Sequence, residues 1–447
     1  MRKWIIECVS LPVVLSFCFL SLPQAQTQNK KKLKDFGSSL EKLKWDPIKK
    51  ESVIEPSRSK TGDEDIDVVR VETSLVAWDV LVIDSHGNNI RGLTADDFQV
   101  SENEQPQTVG HFLLGDNQSV PRKIVLIIDY SGSQLPFIRN SVDAAKVLVD
   151  SLASQDRLAI VTDDVELLVD FTQDKKLLKK KLESLVERTK QDGGFLGFGK
   201  ERQLGKSRQY SAFMATLYEM FTEPEQREII VFQTDGDEIY RLRDPIIPPS
   251  IPPDLPPETR ADAEMYLARR QQAILENQTI FSLADVYRAA EKSRATVYTV
   301  IPGYRLVGLS PEDQLKRAKH EFERSREMFL AKLSSERRAE IIERENRLWR
   351  PFSEANLKAR THEAYKVQLA LAALASRTGG WTDYLEKPEQ AASIYSRIFS
   401  DINQRYIIGY YPTNKEHDGK RRTIKVAIKG HPEYTIIGRR SYYAPVN

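Results

Sequence analysis

The stretch Ile124-Val125-Leu126-Ile127-Ile128-Asp129-Tyr130-Ser131-Gly132-Ser133 decides how this chain is read. Five consecutive apolar residues closed by turn residues describe a strand buried on both faces. At its carboxyl end the strand delivers one carboxylate, Asp129, and two hydroxyls, Ser131 and Ser133, on a tight turn. In α/β folds that edge of the sheet is where ligands bind. Hard oxygens at this spacing suit Mg²⁺ better than any softer metal.

Working outward, strand and helix alternate. Leu135, Ile138, Val142, Ala145, Leu148 and Leu152 recur at three and four residues and predict one helix face. Arg157 to Thr162 and Val165 to Phe171 read as the second and third strands, and Leu178, Leu182 and Leu185 as the next helix. A glycine-rich loop, 193–205, and a short helix from Tyr210 to Phe221 lead to a fourth strand, Ile229 to Thr234, which ends in Asp235-Gly236-Asp237-Glu238. A helix from Ser282 to Lys292 precedes a fifth strand, Ala295 to Ile301. This alternation implies a doubly wound, mostly parallel α/β sheet over 121–403. Two insertions interrupt it, at about 239–278 and 304–363. The first opens with a proline-dense stretch, 244–257, suited to a polyproline II arm; the second is charged and reads as a helical hairpin or a single helix. Both leave the carboxyl ends of strands and are expected to rim the face that carries Asp129.

The flanks are β in texture. Residues 68–120, with a strand at Val69-Val71 and another from Leu75 to Ile83, and residues 404–447, with Arg405 to Tyr411, Thr423 to Ile428 and Tyr434 to Tyr443, predict short strands separated by turns. Three C-terminal strands are marginal alone. They are expected to pair with the N-terminal ones, so that the α/β domain is inserted into a β-sandwich. Ahead of them, 26–67 is polar and lysine-rich and reads as a linker or disordered arm. Residues 1–25 read as an export signal: Arg2 and Lys3, an apolar run from Val9 to Leu22, and a cleavage edge at Ala25, with an uncleaved anchor as the alternative.

Composition removes several classes of function. Lys plus Arg number 66 against 64 Asp plus Glu in 447 residues, so no global field favours nucleic acid. Both cysteines, Cys8 and Cys18, lie in the signal, which leaves the mature chain without thiolate zinc, thiol catalysis or disulfides. The six histidines are scattered, and none lies close to either acidic turn.

Asp129-x-Ser131-x-Ser133 followed by Thr234-Asp235-Gly236 resembles the metal-ion-dependent adhesion site of von Willebrand factor type A (VWA) domains. Gly92-Leu93-Thr94-Ala95-Asp96-Asp97-Phe98 and Tyr406-Ile407-Ile408-Gly409-Tyr410-Tyr411-Pro412 with Arg439-Arg440-Ser441-Tyr442-Tyr443 are similar to the terminal signatures of a bacterial, acidobacterial-type VWA-related family. The resemblance spans roughly 68–445. It implies a Rossmann-like domain, no catalysis, and five metal ligands: Asp129, Ser131, Ser133, Asp235 and, in place of the family's threonine, Ser211. Thr216 and Ser207 are the other candidates for that position, and an N-cap of the helix it opens is the structural alternative for Ser211. The implied metal is Mg²⁺, with Mn²⁺ or Ca²⁺ as substitutes. The implied partner is a protein that offers a carboxylate, met in the periplasm, at the cell envelope or outside the cell. A strand order of 3-2-1-4-5 would bring Asp129 and Asp235 together across the switch point. The competing readings are an assembly module with a vestigial site and a metal-dependent hydrolase, which needs a general base near the metal. Asp237 and Glu238 are either outer-shell acceptors or a solvated acidic turn. The tyrosines 406, 410, 411, 442 and 443 read as strand packing ahead of an adhesive face.

Overall fold

The computed structural model describes residues 32–54, 75–114, 121–190, 204–221, 227–245, 257–331, 333–348, 354–387 and 389–446. The export signal, the strand expected at Val69-Val71, most of the glycine-rich loop and nearly all of the proline-dense arm lie outside them. Part of the segment expected as a disordered arm is folded: Leu43–Asp46 (β1) and Glu51–Ile54 (β2) form an antiparallel hairpin. Phe36 and Leu43 are buried in the core of the α/β domain, and the Ser52 N–H donates to Asp285 Oδ1 at 3.1 Å. Leu33, Leu40 and Ile54 pack beside them, and together they dock a segment whose composition is otherwise that of a solvated arm. Then follow Val76–Ile83 (β3), Phe98–Glu102 (β4), Gln105–Gln107 (β5) and His111–Leu114 (β6).

The central sheet contains Arg122–Ile128 (β7), Arg157–Thr162 (β8), Glu166–Thr172 (β9), Arg227–Gln233 (β10), Thr296–Pro302 (β11) and Thr382–Leu385 (β12), in the order β12-β11-β10-β7-β8-β9. This is the expected 3-2-1-4-5 order with a sixth, four-residue strand at one edge, and β9 runs antiparallel to its neighbour. Alternate residues of each strand face opposite sides. Val125, Ile127, Ala159, Val161, Ile230 and Phe232 pack against helices α3 (Gln209–Glu219), α5 (Leu283–Lys292) and α8 (Glu354–Arg377). Ile124, Leu126, Ile128, Leu158, Ile160 and Val231 pack against α1 (Ile138–Asp150), α2 (Lys175–Thr189) and α9 (Gln390–Gln404). Local signals set several helix ends: Asp174 accepts from the N–H groups of Lys176 and Leu177 at 2.9 and 3.0 Å ahead of α2, and Ser282 with Asp285 forms a capping box on α5.

The insertions add α4 (Pro257–Glu276), α6 (Pro311–Ala331) and α7 (Ser335–Leu348). The second insertion is therefore neither a simple hairpin nor one helix. Its last helix, α8, runs through the expected boundary into the core, burying Leu357, Val367, Leu371 and Leu374. The charged face of α7 is exposed, and there Arg337 pairs with Glu340 at 3.0 Å.

The C-terminal strands Tyr406–Tyr410 (β13), Arg421–Ile428 (β14), Thr435–Gly438 (β15) and Ser441–Tyr443 (β16) join the N-terminal ones in two antiparallel sheets, β15-β3-β13-β6 and β16-β14-β4-β5. Each sheet draws on both flanks, so the flanks form the expected sandwich. Trp78, Val80, Tyr406, Ile408 and Tyr410 from one sheet meet Phe98, Val100, Ile424 and Ile428 from the other. Tyr406 stacks on Phe112 and Tyr410 meets Trp78 edge-on, which is the packing role expected of them. Tyr411 is the exposed member of the group.

Candidate metal centre

The register places the two acidic turns side by side. Strands β7 and β10 pair in parallel up to Ile128 and Gln233, and the Asp129 N–H continues the ladder onto the Gln233 carbonyl at 3.1 Å. On the pleat, Asp129 follows Val125 and Ile127, and Thr234 follows Ile230 and Phe232, so both side chains emerge on the α3 side of the sheet. The Thr234 hydroxyl accordingly donates to Asp129 Oδ2 at 3.0 Å. Asp129 Oδ1 accepts the Ser131 N–H at 3.0 Å within the turn. The Ser131 and Ser133 hydroxyls lie 3.1 Å apart. Asp235 follows Thr234, and its Oδ1 accepts the Asp237 N–H at 3.2 Å. Gly236, at φ +78°, turns the chain where Val367 and Leu371 of α8 leave no room for a side chain.

Four of the five residues expected to hold the metal therefore share one corner. The fifth does not. Ser211 lies in the first turn of α3, where its N–H donates to Glu238 Oε2 at 2.8 Å and its hydroxyl donates to Glu238 Oε1. It is not the N-cap, because the helix starts two residues earlier. The α3 residue that faces Asp129 is Gln209, whose Nε2 donates to Asp129 Oδ2 at 2.8 Å while its Oε1 accepts the Glu238 N–H at 3.0 Å. Two residues along a helix turn the side chain by about 200°, which separates these roles. Of the other candidates, the Thr216 hydroxyl donates to its own helix at Ala212, and Ser207 meets Asp163 through its N–H.

The electrostatics of the corner are one-sided. Burial first, then the charges of Asp235 and Asp163, push the Asp129 carboxyl well above its ordinary range. Asp163, at the end of β8, is pushed up to about 7 by burial, against N–H donors from Tyr130 and Ser207 at 3.1 and 2.8 Å. Burial also raises Glu238, which is 2% exposed and so is no solvated turn; it caps the N-terminus of α3 with negative charge. Asp163 packs against Gly205, where an added Cβ would come within 2.2 Å of its carboxylate. Gln209, Asp163 and Gln134, whose Nε2 donates to Asp235 Oδ2 at 2.6 Å, went unnoticed in the sequence because none carries a motif. The adjacency of Asp163-Asp164 to the end of a strand is the one signal that could have pointed there.

Among the described residues no group of three or more His, Cys, Asp or Glu side chains could by itself hold a metal ion. The corner draws instead on a mixed set of hard oxygens: carboxylates of Asp129 and Asp235, hydroxyls of Ser131 and Ser133. That donor set fits a small divalent cation, which would relieve the mutual repulsion of the acids. Ser133 is exposed and Asp235 half-buried, so the corner opens to solvent on that side.

Solved structures similar to this chain are von Willebrand factor type A proteins. One is a von Willebrand factor type A protein from Catenulispora acidiphila, 13% identical over 78% of this chain and 73% of that one, with a TM-score of 0.32. Another is the vWF domain of the type V pili tip protein Mfa5 from Porphyromonas gingivalis, 11% identical over 64% and 95%, TM-score 0.27. A third is manganese-loaded TRAP protein from Plasmodium vivax, 9% identical over 78% and 100%, TM-score 0.26. No protein-family model and no curated protein matches the chain. Function has to be read from the side chains at the sheet edge.

Proposed function

We propose that this is an exported, non-enzymatic binding module in which Asp129, Ser131, Ser133 and Asp235 hold a divalent cation, Mg²⁺ with Mn²⁺ or Ca²⁺ as substitutes. A carboxylate of a partner protein completes the coordination shell. The observation that carries this reading is the convergence of two aspartates and two serine hydroxyls at one solvent-facing corner, with Asp129 buried and repelled by its acidic neighbours. Two carboxylates leave an octahedral Mg²⁺ shell short of ligands and charge, which favours capture of an anionic group. The side chains hydrogen-bonded to Asp129 are hydroxyl and carboxamide groups, and no histidine is among them. Both insertions leave this edge: the first follows Asp235-Gly236, with the Arg241 carbonyl accepting the Thr279 N–H at 2.8 Å, and the second follows β11, which runs parallel to β10. In this reading they select the partner. Export rests on the basic and apolar segment at the N-terminus; no helix among the described residues is long and apolar enough to cross a membrane.

A second reading has one observation in its favour. Gln209 and Thr234 already fill Asp129 Oδ2 with hydrogen bonds, and Ser211 is committed to Glu238, as a purely structural assembly module with a vestigial site would have them. Calorimetric titration separates the two. The metal-dependent reading expects wild type to bind Mg²⁺ or Mn²⁺ and Asp129→Ala to bind neither. A flat wild-type titration sinks it. Partner capture is then tested by pull-down from the cell envelope with and without chelator, and a partner retained equally in both places the binding surface elsewhere.

A further inference from the structure

Two carboxamides touch the two aspartates of the corner, and they differ in one respect. Gln209 is fixed at both ends: its oxygen takes a backbone N–H and its nitrogen meets a carboxylate. Turning it over would set two donors and two acceptors against each other, so Gln209 is locked as a donor. Gln134 is fixed at one end only. It is 2% exposed, its Nε2 donates to Asp235 Oδ2 at 2.6 Å, and its Oε1 is buried with no hydrogen-bond partner among the described residues. A buried carbonyl oxygen without a partner is rare and calls for a physical explanation.

The position of Gln134 supplies one. It closes the 3₁₀ turn that carries Ser131 and Ser133, with its own N–H on the Ser131 carbonyl at 3.0 Å, and so stands one residue from the second hydroxyl. The terminal torsion of a glutamine is broad, and a half-turn exchanges nitrogen for oxygen. The exchange forfeits the hydrogen bond to Asp235, and a cation on that aspartate replaces it.

We propose that Gln134 is a further oxygen ligand of the metal centre, turning its Oε1 toward the cation shared by Asp129, Ser131, Ser133 and Asp235. This rests on the metal-binding reading above. It assigns Gln134 a part in affinity, while Gln209 keeps Asp129 oriented and stays out of the shell. A neutral oxygen in place of one bound water tightens the site without adding charge, so the cation keeps its appetite for an anionic partner.

The test uses Mn²⁺ alone as probe, with affinity from calorimetry and the number of metal-bound waters from water-proton relaxation, on the full chain. Gln134→Leu is expected to weaken Mn²⁺ by about 10–100-fold, as loss of a supporting group around a metal does, and to add about one bound water. Gln134→Glu is expected to bind at least as tightly as wild type. Should Gln134→Leu fail to unfold cooperatively, Gln134→Asn, which retracts the oxygen by one methylene, is expected to give the same weakening and the same added water. Unchanged affinity and hydration in Gln134→Leu and Gln134→Asn overturn the inference, as does tighter binding by either, which would make Gln134 a mere competitor for Asp235. Asp129→Ala keeps the two levels apart. Wild type that binds while Asp129→Ala does not, with Gln134→Leu equal to wild type, removes Gln134 alone; wild type that never binds removes the metal centre with it.

Discussion

The two ends of the central sheet bury acidic groups in opposite ways. At the amino edge, carboxylates are matched with arginines: Arg122 holds Asp156 through two bonds of 2.7 and 2.5 Å, Arg227 holds Asp79 of the sandwich at 2.7 Å, and Arg405 holds Asp401 at 3.0 and 2.9 Å. Arg439, at the end of β15, donates to the Glu291 and Ala295 carbonyls at 2.7 and 3.0 Å, beside the C-terminus of α5. At the carboxyl edge, Asp129 meets neutral donors and two other acids. The amino edge is a joint, where paired charges fix the sandwich against the α/β domain. The carboxyl edge keeps negative charge in reserve for a ligand, which is what a binding site requires and a joint does not.

Breaking one side of the joint tests the contrast most severely. Arg227→Ala leaves Asp79 buried beside an empty place and is expected to cost about 3–5 kcal/mol in denaturant unfolding. Asp129→Asn in the same assay, without metal, is expected to stay within about 1 kcal/mol of wild type, because it removes a charge the fold disfavours. Equal losses for the two variants would erase the distinction between joint and site.

Glu228 sharpens the comparison at the amino edge itself. Burial raises its carboxyl to about 7, although Arg294, Lys123 and Arg439 pull the other way. The sign follows from linkage: between about 4.5 and 7 the folded chain holds a proton that the unfolded chain has lost, so stability falls as pH rises through that window and levels off above it. Glu228→Gln is expected to flatten the slope by at most about 3 kcal/mol, read from denaturation at a series of pH values. A slope that survives the substitution places the pH dependence in other groups. The smallest effect is expected farthest from both edges. Arg337→Ala on exposed α7 removes a surface pair with Glu340 and is expected to change stability by less than about 1 kcal/mol. A larger loss would show that α7 is held by something other than solvation.

Much of this was legible in the chain. Strands β7 and β10 have apolar centres, Ile124 to Ile128 and Ile229 to Phe232, β11 is buried along its length, and the helix faces repeat at three and four residues, because burial on two sides of a sheet leaves a local pattern. The folded segment ending in the hairpin at 43–54 was missed although Leu33, Phe36, Leu40 and Leu43 recur at three and four residues, because the polar, lysine-rich composition around them reads as a solvated arm. The sixth strand, β12, is four residues long, too short to leave a periodic pattern. Glu238 looked like part of an acidic turn and proved to be the cap of a helix remote in sequence.

The site divides along the same line. Asp129, Ser131 and Ser133 belong to one turn, and sequence alone determined that a carboxylate and two hydroxyls would stand together at the end of a buried strand. Asp235 needed the strand order as well, which alternation of strand and helix narrows to a few doubly wound arrangements without fixing one. The member contributed by α3 was decided by tertiary structure alone. Gln209 and Ser211 are two residues apart and chemically plausible alike, and the rotation of a helix packed on the sheet turned the carboxamide to Asp129 and the hydroxyl to Glu238. Helix rotation is set by how an entire face packs, and no short stretch of sequence contains that information.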